Sequence, residues 1–97
     1  MELTNFHKLS WMAGVLDAKG YINTSRGLYV GLRSYDLELL LAFQTLFGGT
    51  MHKFHEGWQF HITDKAAYTM LLTLKPFIQC STQLVGDAIE QYGAHKN

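Results

Sequence analysis

Cysteine, proline and net charge are what this 97-residue chain lacks most: it holds one cysteine, one proline, and eight basic against eight acidic residues. With Cys80 alone no internal disulfide can form, which excludes a disulfide-stapled secreted scaffold. No stretch reads as a signal peptide or a membrane span, so the expected setting is reducing and intracellular, whether cytoplasm, nucleoid or organelle. Zero net charge is unusual for a protein whose affinity would come from phosphate contacts. No linker, low-complexity tract or internal repeat divides the chain, which is expected to be a single domain over 1–97. The lone proline, Pro76, interrupts a helical pattern near the C-terminus.

The apolar content is ample. With 47% apolar and 13% aromatic residues, one core can form. A chain this short buries only a little over ~60% of its unfolded surface and gains from a partner, which a homodimer would supply. Leu9, Met12, Ala13 and Leu16 recur at helical spacing, with Ser10 as N-cap candidate and Gly20 where a terminating glycine belongs. Gly14 and Ala18 lie four apart and leave a strip without bulk, where another backbone can approach. Residues 21–33 read as a hairpin around Ser25-Arg26-Gly27, after which Asp36 or Ser34 caps a helix through Phe47. A second hairpin over 50–63 turns at His55-Glu56-Gly57. Asp64 then caps a helix over 66–74, and Ser81 or Thr82 starts a final helix ending near Tyr92. The order is αββαββα, an α+β arrangement with an antiparallel sheet covered by helices on one face.

Strict alternation sorts the strands. Trp58, Phe60 and Ile62 belong to the core face, and Gln59, His61 and Thr63 to the other. Likewise Tyr21, Asn23 and Ser25 oppose Ile22 and Thr24, while Tyr29, Gly31 and Arg33 oppose Leu28, Val30 and Leu32. The uncovered set is rich in hydrogen-bonding side chains that suit DNA: a β-ribbon fits the major groove, where Arg, Asn and Gln pair base edges while Lys, Ser and Thr hold phosphates. Candidate DNA contacts are Lys19, Asn23, Ser25, Arg26, Tyr29, Arg33, Lys53, Gln59 and His61. The hairpins hold Arg26, Arg33 and Lys53 against Glu56 only, so a neutral chain still offers a mildly basic sheet. His52, His55 and His61 lack zinc-type spacing, since strand positions three apart face opposite ways, and no metal site is expected of them.

The run Met12, Ala13, Gly14, Val15, Leu16, Asp17, Ala18, Lys19, Gly20 resembles the signature helix of the LAGLIDADG homing endonucleases, falling position for position on its nine letters and matching six of them exactly or conservatively. Phe47-Gly48-Gly49-Thr50 is similar to that family's helix-to-strand junction, and Leu74-Lys75-Pro76-Phe77-Ile78 with Ile89-Glu90-Gln91 to its C-terminal helical region. The resemblance implies the αββαββα fold and a dimer seam through the signature helix, with Met12, Ala13, Gly14, Leu16, Asp17 and Ala18 at the interface. It also implies that the last acid of the motif holds divalent metal ions against the scissile phosphates. Here that position is Lys19, whose charge repels a dication. A basic residue expected near Ser81 is missing as well, there being no Lys or Arg between Pro76 and Lys96, and the polar residue that follows the second strand falls near Ser34 or Tyr35.

These observations carry three readings. The first is a homodimeric duplex-DNA binder that keeps the scaffold and does not cut, with no cofactor. The second is an active or nicking endonuclease dependent on Mg²⁺ or Mn²⁺, its metal bound by Asp17 or by another acid that the sequence does not place. The third is a protein-interaction module presenting Tyr21, Tyr29 and Trp58.

Overall fold

The computed structural model describes the backbone of residues 2–96 and the side chains of residues 7–93. The chain runs α1 (Glu2–Lys19), β1 (Gly20–Asn23), β2 (Tyr29–Ser34), α2 (Leu37–Phe47), β3 (Thr50–Phe54), β4 (Gly57–Thr63) and α3 (Asp64–Leu74), then a 3-10 turn (Lys75–Phe77) and α4 (Thr82–Lys96). The four strands form one antiparallel sheet in the order β1-β2-β4-β3, so the expected α+β architecture is present.

One face of the sheet is core. Val30, Leu32, Phe60 and Ile62 point from the two central strands into Met12, Ala13 and Leu16 of α1, Leu40 and Phe43 of α2, and Met70, Leu71 and Leu74 of α3. Val85 and Ala88 of α4 close the cluster, and all of these residues are buried. Each such large side chain contributes roughly 1.5–3 kcal/mol of burial. Among the described residues, no helix is long and apolar enough to cross a membrane.

Turn chemistry explains most boundaries. Asp36 caps α2 by accepting from the backbone N–H groups of Glu38 (3.1 Å) and Leu39 (3.4 Å), while Ser34 accepts from Asp36 N–H at 3.0 Å. Gly48 and Gly49, at φ of 85° and 100°, turn the chain from α2 into β3, and a Cβ on Gly49 would meet the His61 carbonyl oxygen at 2.8 Å.

Three local expectations are corrected. Ser10 is not an N-cap, because α1 starts eight residues earlier and carries it in mid-helix. Gly20 starts β1 without a positive φ; it is needed because a Cβ would meet the Leu16 carbonyl oxygen at 2.8 Å. Asp64 is the first residue of α3 rather than its cap, and it sits at φ 54° with its N–H donated to the Leu28 carbonyl at 2.8 Å.

Candidate functional site

The strand register sets out the uncovered face row by row. Asn23, Tyr29 and Thr63 form one row; Tyr21, Gly31, His61 and Thr50 form the next; Arg33, Gln59 and His52 form the third. Phe54 and Gly57 continue the same face at the hairpin end. No outward strand position holds a carboxylate, so the face carries Arg33 and two histidines unopposed.

A hydrogen-bonded cluster sits at its centre. The Gln59 side-chain amide donates to the hydroxyl oxygens of Tyr21 (2.9 Å) and Tyr29 (3.2 Å), which lie 3.4 Å from each other. One hydroxyl proton bridges the tyrosines, so the other is available to an acceptor outside the sheet. Partial burial, and after it the hydrogen bond and charge of Tyr29, push the Tyr21 hydroxyl above its ordinary range. Tyr21 therefore remains a neutral O–H donor at physiological pH. Gln59 itself is buried, its amide committed within the sheet, and it is a positioning residue rather than the base reader expected from sequence.

Gly31 makes this arrangement possible, because a Cβ there would lie 2.6 Å from the Tyr21 ring. Gly31→Ala is expected to lift Tyr21 off the sheet, destabilise the fold by about 1–3 kcal/mol and break the Gln59 contact. Thermal melting together with the Gln59 side-chain amide signals in a ¹⁵N spectrum checks this.

Around the cluster, His61 stacks on Tyr29 with ring centroids 5.3 Å apart, and His52 meets His61 edge-on at 5.5 Å. The sequence places Tyr21 and His61 on this face, Tyr21 only as a contact for a protein partner, and does not single out His52 as a DNA contact. Asn23 is outward, yet its carboxamide oxygen accepts from both N–H and Oγ of Ser25 at 2.8 Å. It thus locks the β1–β2 loop, and a bidentate adenine contact, which needs that oxygen, is unavailable while the lock holds. Ser25 is the other half of the lock, and Arg26 is exposed at the loop tip.

Lys53 is a correction. It pairs with Trp58, on the helix-facing parity, and its Nζ lies 5.9 Å from the Trp58 ring. The cause is a single-residue register difference. The hairpin turns on His55 and Glu56 alone, His55 taking φ 53°, so Phe54 pairs with Gly57 instead of Trp58. A one-residue slip exchanges the two faces of a strand, and His52 takes the outward place intended for Lys53.

The signature helix divides likewise. Met12, Ala13 and Leu16 are buried in the protomer's own core and cannot form a dimer seam. Gly14 and Ala18 are exposed beside the half-exposed Trp11, and nothing lies within 4 Å of where a Gly14 Cβ would stand.

Asp17 is engaged by its own chain. Its carboxylate accepts from the backbone N–H groups of Gln79 (2.8 Å), Cys80 (3.1 Å) and Ser81 (2.8 Å), at the entrance to α4. Slight burial pushes its pKa up, but these N–H donors outweigh it and hold the carboxyl below its ordinary range. An anion facing the start of a helix is also favoured by the helix dipole. Lys19 ends α1, exposed, where the carbonyl end of the dipole favours a cation. With Asp17 engaged and Lys19 positive, the residues present do not fit a divalent metal at the end of this helix. Among the described residues, no three His, Cys, Asp or Glu side chains converge elsewhere.

The fold is that of homing endonucleases. The chain superposes on the homing endonuclease I-CvuI bound to its target in calcium with a TM-score of 0.80 and 24% identity, covering 95% of this chain and 71% of that one. A second structure of I-CvuI, with the I-CreI target uncleaved in magnesium, gives a TM-score of 0.81 at 21% identity over 97% and 71% of the two chains. The archaeal intron-encoded homing endonuclease I-Vdi141I, complexed with DNA, gives 0.77 at 13% identity over 96% and 71%. No protein-family profile and no curated protein sequence matches the chain.

Proposed function

We propose that this chain is a duplex-DNA-binding protein of the LAGLIDADG homing endonuclease type, which engages its site as a homodimer and does not cleave it. The observation that carries this reading is the uncovered sheet face, free of carboxylates at every outward strand position, on a fold whose structural neighbours are held on DNA. Arg33, His61 and Arg26 supply donors toward a groove, joined by His52 and by the one hydroxyl proton of the Tyr21–Tyr29 pair that does not bridge the two rings. Asn23, Ser25 and Gln59 hold the shape of that surface.

Loss of cleavage follows from charge. A carboxylate attracts a dication, whereas an ammonium repels it by about 4 kcal/mol per unit charge pair at 4 Å and an effective dielectric near 20. Lys19 stands where the resemblance puts the acid, and no basic side chain lies at Ser81. Asp17, the acid that the nuclease alternative names, is held by three backbone donors.

Self-association is supported by the open Gly14–Ala18 strip beside Trp11. Gly14→Ala is expected to act in opposite directions on the two states. Alanine in an open helical position stabilises the isolated protomer by about 1 kcal/mol, while its methyl group holds a second helix away. Sedimentation should show a weaker dimer, and melting of the dilute protein a higher midpoint.

The deciding experiment selects duplexes from a random pool at low salt, then incubates the enriched sequences with Mg²⁺ or Mn²⁺. Enrichment of a pseudo-palindrome that survives intact is expected. Metal-dependent cutting would overturn the non-cleaving assignment, and failure to enrich any duplex would turn the face toward a protein partner.

A further inference from the structure

The register of the β3–β4 hairpin brings together two histidines that lie apart in the sequence. Thr50 pairs with His61 and His52 with Gln59, so these four side chains occupy the corners of one cell on the uncovered face. Sequence spacing sets His52 against His55, on opposite sides of the strand, whereas the turn on His55 and Glu56 sets it beside His61. We propose that this cell is a binding site for a borderline transition-metal cation of the Zn²⁺, Ni²⁺ or Cu²⁺ class, held by the imidazoles of His52 and His61. The site lies away from the end of α1 and stands independently of the DNA-binding reading.

Distance is the first argument. The two rings meet edge-on, with centroids 5.5 Å apart and planes at 61°. A ring nitrogen lies about 2.0–2.1 Å from a zinc ion it binds, so two imidazoles at a tetrahedral angle hold their centroids roughly 5 Å apart. The observed spacing therefore needs no movement of the backbone. His52 is exposed and can turn its ring to bring a nitrogen to the shared ion, while Tyr29, stacked on His61 at 5.3 Å, holds that ring against rotation.

Donor chemistry is the second. The Nδ1 atom of His61 is buried and has no hydrogen-bond partner among the described residues, an arrangement that costs stability and that a bound cation relieves. Gln59, only 8% exposed, spends its Nε2 on the hydroxyl oxygens of Tyr21 and Tyr29, which leaves the carboxamide oxygen as the unspent end beside His52. It is a third ligand at hand, and water takes the remaining positions on the open side.

Selectivity is the third. Two imidazole nitrogens and a neutral oxygen suit borderline cations. Calcium and magnesium call for carboxylates, and no outward strand position holds one. Arg33 is the one residue of fixed charge among those positions. Its guanidinium is drawn over the Phe54 ring at the hairpin end, 4.2 Å from the centroid, and salt on this open face screens its repulsion.

The test titrates zinc chloride into the whole chain in a buffer that does not bind metal, with the imidazole ¹⁵N signals followed by long-range ¹H–¹⁵N correlation. Saturation at one zinc per protomer is expected, with the nitrogens of His52 and His61 shifted and those of the other three histidines unmoved. His52→Gln, at an exposed position and with its fold verified by circular dichroism, should weaken binding at least tenfold. His55→Gln should leave it unchanged, and calcium should shift nothing. Zinc that moves all the histidines alike, that fails to saturate, or that binds His52→Gln as tightly as the native chain would overturn the site.

Duplexes enriched from the random pool form the second arm. Zinc binding without duplex binding keeps the site and removes the DNA-binding reading; duplex binding without a zinc response does the reverse. With both present, the metal withdraws His52 and His61 from the groove. Duplex affinity should then differ between zinc and chelator in the native chain, and not in His52→Gln.

Discussion

Lys19→Asp is expected to turn calcium-indifferent DNA binding into calcium-dependent binding. On the DNA-binding reading proposed above, the native ammonium supplies a counter-charge to the DNA backbone at the end of α1, and divalent calcium or magnesium should change affinity only through ionic strength. On the same reading the substitution replaces that attraction by repulsion. At an effective dielectric near 20 each unit charge pair at 4 Å is worth about 4 kcal/mol, and exposure of the side chain screens part of it. Affinity in chelator should fall at least a hundredfold, about 2.7 kcal/mol. Calcium should restore most of it by bridging carboxylate and phosphate. Fluorescence anisotropy on an enriched duplex, with chelator and with calcium at matched ionic strength, measures both effects. The variant should still not cut in Mg²⁺, because position 81 also lacks a basic side chain. Cutting by the single variant would show that Lys19 alone withholds the reaction.

The alternation of apolar residues was enough to assign the faces of β1, β2 and β4, because one face of the two central strands is buried, Ile22 of β1 packs partly against the same core, and a wrong parity would place Phe60 or Val30 in water. It failed on β3, an edge strand with the pattern Thr50, Met51, His52, Lys53, Phe54, in which neither parity is clearly apolar. Register there is set by the turn. Gly57 invites a three-residue loop in the sequence, whereas the structure places His55 in the left-handed region and starts β4 at Gly57. The roles of Gln59, Asn23 and Asp17 were illegible for a different reason. Their partners lie 38 residues away for Gln59 and Tyr21, and 62 for Asp17 and Gln79, or depend on loop geometry, so composition marks them only as polar. The signature helix was recognisable as a helix, but which residues face outward is decided by how it sits on α3 and the sheet. Met12, Ala13 and Leu16 face in, and Gly14 and Ala18 face out.

Asp17→Ala should destabilise the fold substantially, because the loss is threefold. The N–H groups of Gln79, Cys80 and Ser81 lose their shared acceptor, α4 loses the anion facing its start, and the link from α1 to the chain entering α4 is broken. A hydrogen bond to a charged group contributes about 1.5–3 kcal/mol when shielded, and this carboxylate is partly open to water. A total near 2 kcal/mol is therefore expected. For a domain of this size that lowers the melting midpoint by roughly 8–16 °C, compared at one protein concentration. The acid dependence separates the charge from the contacts. The carboxyl is held below its ordinary pKa in the folded state, so its contribution is complete above the unfolded value near ~3.9 and disappears as pH falls through the lower folded value. Melting midpoints of the native chain and of Asp17→Asn should differ by a constant amount between pH 5 and 8 and converge in more acid solution. A difference that persists below that range would mean that the substitution acts through lost geometry, and that the carboxylate charge contributes nothing to holding α4 in place.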